Sequence, residues 1–232
     1  MEREVFGVDS GTITVAHELK APLSLMRQLA LSIELEQDKE KISYTADRIV
    51  ATSERALKQV NDLVKVARLS DGLFEMEPVN PRRICDEVVS ELWELFRFNR
   101  REVISEYRNR EKLVVANHDL LYSVIYNFCL NAMNYSGEET PSEIFINNTK
   151  NGIRISVRDY GPCIPTSIWR EIRQYGASRP LSTAMRPGSS GLGLYIASRF
   201  IEFMNGRFGL IRHRDGTSFF VDLPISKQLS FI

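Results

Sequence analysis

Apolar positions in the first third of the chain follow a seven-residue track. Leu19, Leu23, Met26, Ala30 and Ile33 step by four, three, four and three, and Ile42, Ala46, Ile49, Ser53, Ala56, Val60, Leu63 and Ala67 continue the pattern. Such a repeat lays side chains along one stripe of a helix, and residues 13 to 69 contain almost no Gly and a single Pro. Two helices with one seam each are predicted, joined through the polar "EQDKEK"; the second runs roughly 40 Å at 1.5 Å per residue. A lone hairpin buries one narrow stripe. Pairing two copies into a four-helix bundle completes the core, so a homodimer is expected. Packing of the hairpin on the chain's own second domain is the alternative.

At "LSDGLFEMEPVNP" the pattern changes, because Gly72, Pro78 and Pro81 interrupt helix. The domain boundary is placed there, giving a hairpin over 1–74 and a second domain over 75–232. In the second domain "RRICDEVVSELWELFRF", "HDLLYSVIYNFCLNAMNYS" and "GLGLYIASRFIEFMN" read as helices, and "EVISEYRN" and "KLVVAN" as strands. "EIFINN" and "IRISVRDY" alternate around Asn151-Gly152, and "RFGLIRHRDGTSFFVDLP" alternates around Asp215-Gly216, each predicting a hairpin. Helices segregated onto one face of a mainly antiparallel sheet make an α/β sandwich. The fold class is therefore α plus α/β.

Composition narrows this little. Of 232 residues 43% are hydrophobic, enough for a real core, and thirty basic against thirty acidic side chains leave no global field that points to nucleic acid. Cys85, Cys129 and Cys163 fit neither a zinc spacing nor a disulfide framework, which suits a reducing cytoplasm. No apolar run reaches the roughly 20 residues of a membrane span.

Candidate chemistry begins at "HELKAPL", residues 17 to 23. His17 lies two residues before Leu19, about 200° around the helix from the seam, so its ring is expected to face outward. Pro22 cannot donate to the carbonyl of Glu18 and crowds it, a cost on the order of 3 kcal/mol if uncompensated. Histidine titrates near neutrality, and the adjacent carboxylate is placed to hold the imidazole or take its proton as the ring nitrogen attacks an electrophile. An exposed surface His-Glu pair is the bland alternative.

Three further stretches carry chemistry. In "NFCLNAMNYS" Asn127 and Asn131 are four apart, so their amides share one helical face, and carboxamide oxygens suit Mg²⁺. "VRDYGPCIP" follows a predicted strand and brings Asp159 and Gly161 to its end. "GSSGLGLYIASRF" sets glycines before a helix, where unpaired N–H groups favour anions. Each stretch alone reads equally well as an ordinary helix face, turn or loop.

Taken in order, these stretches resemble the H-box, N-box, G1 box and G2 box of sensor histidine kinases, whose core joins a HisKA-type dimerisation hairpin to a GHKL-type ATPase domain with the Bergerat ATP-binding fold. The resemblance runs from about Ile13 to Pro224. It implies ATP and Mg²⁺ as cofactors, His17 as the phosphorylated residue with Glu18 as its proton partner, and Asn131 as the metal ligand with Asn127 beside it. It further implies Asp159 on the adenine amino group with Gly161 next to it, Gly188, Gly191 and Gly193 at the phosphates, and Tyr135, Leu192 and Leu194 as members of the nucleotide site. Residues from about Gln174 to Gly188 correspond to a lid. The implied partners are a second copy of the chain and the receiver domain of a response regulator, and the implied location is the cytoplasm, including the cytoplasmic part of a longer membrane-anchored sensor.

Several positions depart from the family pattern. Asn134 stands where a Lys or Arg often follows the second asparagine by three, with Arg179, Arg186 or Lys150 as candidate replacements for that charge. Cys163 replaces the second glycine of the G1 box, and Ser189 replaces a glycine of the G2 box. Ala21 occupies the place where members that also remove phosphate from their partner often carry Thr or Asn. Two functions follow. One is an autophosphorylating kinase that passes its phosphoryl group to a response-regulator aspartate. The other is a degenerate, non-catalytic dimeric scaffold that binds nucleotide or partner only.

Overall fold

The computed structural model describes residues 10–107, 112–137, 140–175 and 192–227, with side chains of the first helix described from Lys20. The chain divides into two compact units, up to Ala67 and from Arg68. This division precedes the expected boundary at 74, because Leu69 is buried and Phe74 packs edge-on against Phe203 at 6.1 Å within the second unit.

The first unit is a helical hairpin, α1 (Ser10–Glu34) and α2 (Lys39–Ala67). In the connection Glu36 accepts from the backbone N–H groups of Gln37 and Asp38, and Asp38 accepts from the N–H of Glu40 at 2.9 Å, capping the start of α2. Pro22 lies inside α1, which continues through it. The seam between the helices is displaced from the one read in the sequence. Among the described side chains of α1, Pro22, Met26, Leu29 and Ile33 are sheltered, with Leu29 buried, whereas Leu23 is 60% exposed and Ala30 is also open. On α2, Ile42, Ile49, Ser53, Ala56 and Leu63 are half-buried, but Ala46, Val60 and Ala67 are exposed. The apolar band is wider than one partner helix covers. Its outer part, including Leu23, Val50, Leu57 and Val64, forms a second stripe.

The second unit opens with β1 (Glu77–Val79) and α3 (Pro81–Phe98), followed by β2 (Val103–Tyr107), β3 (Val114–Ala116), α4 (His118–Tyr135), β4 (Ser142–Asn148), β5 (Ile153–Asp159), α5 (Thr166–Tyr175), α6 (Leu192–Phe203), β6 (Arg207–His213) and β7 (Gly216–Leu223). Helix starts follow their capping chemistry. The Asn80 side chain accepts from the N–H groups of Arg82 and Arg83 with Pro81 in the first turn, and Asn117 accepts from the N–H of Leu120.

Five strands form one sheet in the order β2-β4-β5-β7-β6; only β2 and β4 run parallel. Ile153, Ile155 and Val157 of β5 point into the core and are almost inaccessible. Phe128 of α4 meets Phe219 of β7 and Phe208 of β6 at ring separations of 5.9 and 6.0 Å. The buried rings of Phe128 and Phe219 each stabilise the sandwich by roughly 1.5–3 kcal/mol, and Phe208 is half-buried. Strand β1, which pairs antiparallel with the predicted strand β3, and helix α5 were not among the predicted elements. No described helix is long and apolar enough to cross a membrane.

Candidate functional site

Helix α4 runs along the sheet toward the end of β5 that carries Asp159. Asn127 is buried, its Nδ2 donates to the carbonyl of Ser123 at 2.9 Å, and its Oδ1 faces the first turn of α6. A Cβ built on Gly193 would lie 2.8 Å from that oxygen, so only glycine allows α6 to start this close to the amide. One turn further along α4, the Nδ2 of Asn131 is buried without a hydrogen-bond partner. Tyr135 ends the helix, half-buried, and Asn134 points to solvent.

Past the end of α4 the chain is tied to the turn after β5. The Ser136 hydroxyl accepts from the N–H of Tyr160, and the N–H of Gly137 donates to the Tyr160 carbonyl, both at 3.4 Å. Asp159 is 2% exposed, and its Oδ1 accepts from the N–H groups of Gly161 at 3.0 Å and Thr217 at 3.3 Å. Thr217 is the register partner of Asp159 across β5 and β7, and its hydroxyl is buried without a partner. The neighbouring Gly216 has φ 145° and would place a Cβ 1.9 Å from the carbonyl of Asp159, so β7 can begin here only with glycine. Thr217 escaped the sequence reading. It sits beside the Asp215-Gly216 turn, and only the strand register reveals that it faces Asp159.

Tyr160, between Asp159 and Gly161, is held from two sides. The Arg158 guanidinium lies 4.5 Å from its ring centre, and its hydroxyl donates to Glu143 at 2.5 Å. Burial and the Glu143 carboxylate push that hydroxyl up to about 12, so it stays protonated as the donor. Arg158 also pairs with Asp215 at 2.9 Å. Cys163 is turned toward the β6–β7 connection. Its thiol lies 3.0 Å from the carbonyl of His213 and 3.1 Å from that of Arg214, contacts that a glycine at this position could not make.

The other predicted residues fall into three groups. Leu192 and Leu194 are buried by their side chains in the core that α6 shares with α4, which leaves only their backbone for a ligand. Lys150 occupies the turn between β4 and β5, at the end of β5 opposite Asp159, and so cannot replace the charge absent at Asn134. Gly188, Gly191, Ser189, Arg179, Arg186 and the lid beyond Tyr175 lie outside the described residues, as do the side chains of His17, Glu18 and Leu19 on α1.

These residues fit a magnesium nucleotide. A buried amide donor and a buried hydroxyl lack partners, a buried carboxylate is oriented by two backbone amides, and glycine lets α6 start against the Asn127 amide. Among the described residues no group of three His, Cys, Asp or Glu could hold a metal by itself. A neutral carboxamide oxygen suits Mg²⁺, which keeps several waters and phosphate oxygens as its remaining ligands.

Comparison with known proteins agrees with this arrangement. Residues 116–227 match the family of histidine kinase-, DNA gyrase B-, and HSP90-like ATPases. The chain is 26% identical over 220 residues to the probable sensor histidine kinase TcrY of Mycobacterium tuberculosis, a match that covers 90% of this chain and 44% of that protein. The chain thus spans less than half of TcrY. Among solved structures, the Acinetobacter baumannii histidine kinase AdeS superposes with a TM-score of 0.65 at 15% identity over 91% of this chain and 98% of that one. The histidine kinase ThkA, in its complex with the response regulator TrrA, gives a TM-score of 0.66 at 19% identity over 94% and 62%. At such identities the structural likenesses speak for the fold. Residues 116–227 thus carry a domain of this ATPase family, which takes up most of the second unit, and sensor histidine kinases align along nearly the whole chain.

Proposed function

We propose that this chain is the core of a two-component sensor kinase, a phosphotransferase that moves the γ-phosphoryl group of ATP to His17 and from there to an aspartate of a response-regulator receiver domain. The observation that carries this reading is the buried, unpartnered Nδ2 of Asn131, one turn from Asn127 on a helix that leads to Asp159. A buried amide donor with no acceptor costs about 1–3 kcal/mol, a cost relieved by an anionic ligand with its own oxygens.

Asp159 accepts from the adenine amino group while Gly161 and Thr217 hold its carboxylate in place. Asn127 and the backbone of Gly193 at the start of α6 would face the phosphates. Magnesium, when bound through the Asn131 carboxamide oxygen, supplies charge neutralisation for the transferring phosphoryl group. In this scheme His17 would be the acceptor of that group and Glu18 would take or share its ring proton, a contribution of about 10²- to 10⁴-fold for a general base. The other two histidines are already engaged. His118 lies 3.0 Å from Glu87 and 3.3 Å from Asp119, and His213 lies 2.8 Å from the Ser218 hydroxyl.

Residues 1–74 serve dimerisation and phosphotransfer in this scheme, and residues 75–232 bind ATP. The outer stripe with Leu23, Val50, Leu57 and Val64 supports a homodimer, since a second copy buries it in a four-helix bundle. The location that follows is cytoplasmic, as a protein by itself or as part of a longer sensor.

The test is incubation of the purified chain with Mg²⁺ and γ-labelled ATP. Acid-labile, alkali-stable label on the protein is expected, and it should pass to a receiver domain with an intact aspartate. ATP binding without label would favour the scaffold reading instead.

A further inference from the structure

The C-terminal end of α4 has a cation that its own sequence does not provide. Its last turn holds no basic residue, yet its final carbonyls need donors. They find one from a distant loop. Nη1 of Arg101 donates to the carbonyl of Met133 and to that of Ser136, the latter at 2.7 Å, so one nitrogen ties together the backbone before and after Tyr135.

The placement of Arg101 follows from how α3 ends. Arg100 takes a left-handed conformation, φ 53°, its N–H donates to the carbonyl of Arg97 at 2.9 Å, and the N–H of Arg101 donates to that of Phe96 at 2.9 Å. This pair of bonds is the Schellman pattern, and it fixes the direction in which residue 101 leaves the helix. Asn99 adds a second tie, with its Nδ2 bonded to the carbonyl of Leu95 at 2.7 Å and 3.8 Å from the sulfur of Met133. The end of α3 is thus built to hold the end of α4.

What is held there is the nucleotide site itself. Asn131 and Tyr135 lie on the last turns of α4, and Ser136 and Gly137 pass the constraint to Tyr160, next to Asp159 and Gly161. We infer that Arg101 is a positioning residue for nucleotide binding, which sets the end of the asparagine-bearing helix against the Asp159 turn without touching the ligand. The inference rests on the proposed ATP-dependent function and names a residue outside all four sequence boxes.

Initial rates of phosphohistidine formation against ATP concentration, with ATP affinity by calorimetry, test it on wild type, Arg101→Met and Arg101→Lys. The Met variant should raise KM and Kd for ATP about tenfold while the rate at saturating ATP stays within about twofold, because misplacement by a fraction of an ångström weakens binding geometry without removing a reacting group. The Lys variant, which keeps the charge as a compact ammonium on a shorter, more flexible stem, should fall between the two. A merely structural role predicts a lower saturating rate from fewer folded molecules at an unchanged KM, and that result would overturn the inference. Should Arg101→Met fail to fold, the Lys variant decides by itself: KM and Kd equal to wild type would refute the assignment. Wild type that binds ATP without forming label removes the kinase reading but leaves Kd to judge Arg101, whereas wild type that binds no ATP removes both.

Discussion

A methyl group at Gly193 would stand 2.8 Å from Oδ1 of Asn127, so the first turn of α6 and the asparagine face of α4 are in direct contact. Asn127 cannot swing away freely, because its Nδ2 is bonded to Ser123 and the side chain is buried. Gly193→Ala should therefore shift the amide and lower ATP affinity about tenfold, with a loss of stability of about 1 kcal/mol or less. Calorimetric titration beside a thermal melt checks both; unchanged affinity would remove Asn127 from the binding surface.

Thr217 offers a sharper separation of binding from stability. Its hydroxyl is buried beside Asp159 with no partner, so it costs the folded state something and is suited to meet a ligand or a bound water. Thr217→Val keeps the shape and removes the hydroxyl. The variant should melt at the same temperature or higher and bind ATP roughly tenfold more weakly, at about 1.4 kcal/mol per decade. A variant that melts lower and binds equally well would show a structural hydroxyl only.

Elements whose signals are local were readable from the sequence. The β4–β5 hairpin follows from alternating residues around Asn151-Gly152, and the order of the four boxes placed Asn127, Asn131 and Asp159 on the elements that carry them. What escaped depends on contacts between distant segments. Thr217 reads as an ordinary strand residue until the register sets it opposite Asp159, and Arg101 as a loop cation until α3 and α4 are packed. The heptad track of α1 placed Leu23 and Ala30 in the same seam as Met26, because periodicity marks the centre of an apolar band and not which neighbour covers each edge. Strand β1 is three residues long and includes Pro78, which breaks the usual pattern, so it went unpredicted.

The three cysteines should differ in reactivity. Cys85 and Cys129 are 0% and 1% exposed, while Cys163 lines an open cleft of about 480 Å³ with Trp169 and Arg212. An alkylating reagent should modify Cys163 alone in the native protein and all three residues in urea, as read by mass spectrometry. Since the thiol meets the carbonyls of His213 and Arg214, alkylation should also weaken ATP binding several-fold, an effect absent from Cys163→Ser, which keeps a donor. Native labelling at Cys85 or Cys129 would contradict the packing of α3 on α4.

Those two buried thiols also predict a pH dependence. Burial raises Cys85, with Cys129 nearby adding to it, and pushes Cys129 up to about 12, against an ordinary value of 9.0. A group whose folded value is raised contributes stability that is whole below its unfolded value and is lost as pH rises toward the folded one. Above pH 9 each thiol should thus remove up to about 1.4 kcal/mol of stability per pH unit. Urea unfolding at several alkaline pH values should show this decline, and a double Cys85→Ala, Cys129→Ala variant, though less stable near neutrality, should show a flatter one. Equal slopes would contradict the assignment.

The claim that His17 receives the phosphoryl group is most directly tested by locating phosphate on the protein after incubation with Mg²⁺ and ATP, using peptide mass spectrometry at neutral to alkaline pH. The chain offers three histidines. Phosphate should appear on the peptide containing His17, be absent from His17→Gln, and disappear with Asp159→Asn through lost ATP binding. Phosphate on His118 or His213, or its persistence in His17→Gln, would contradict the account.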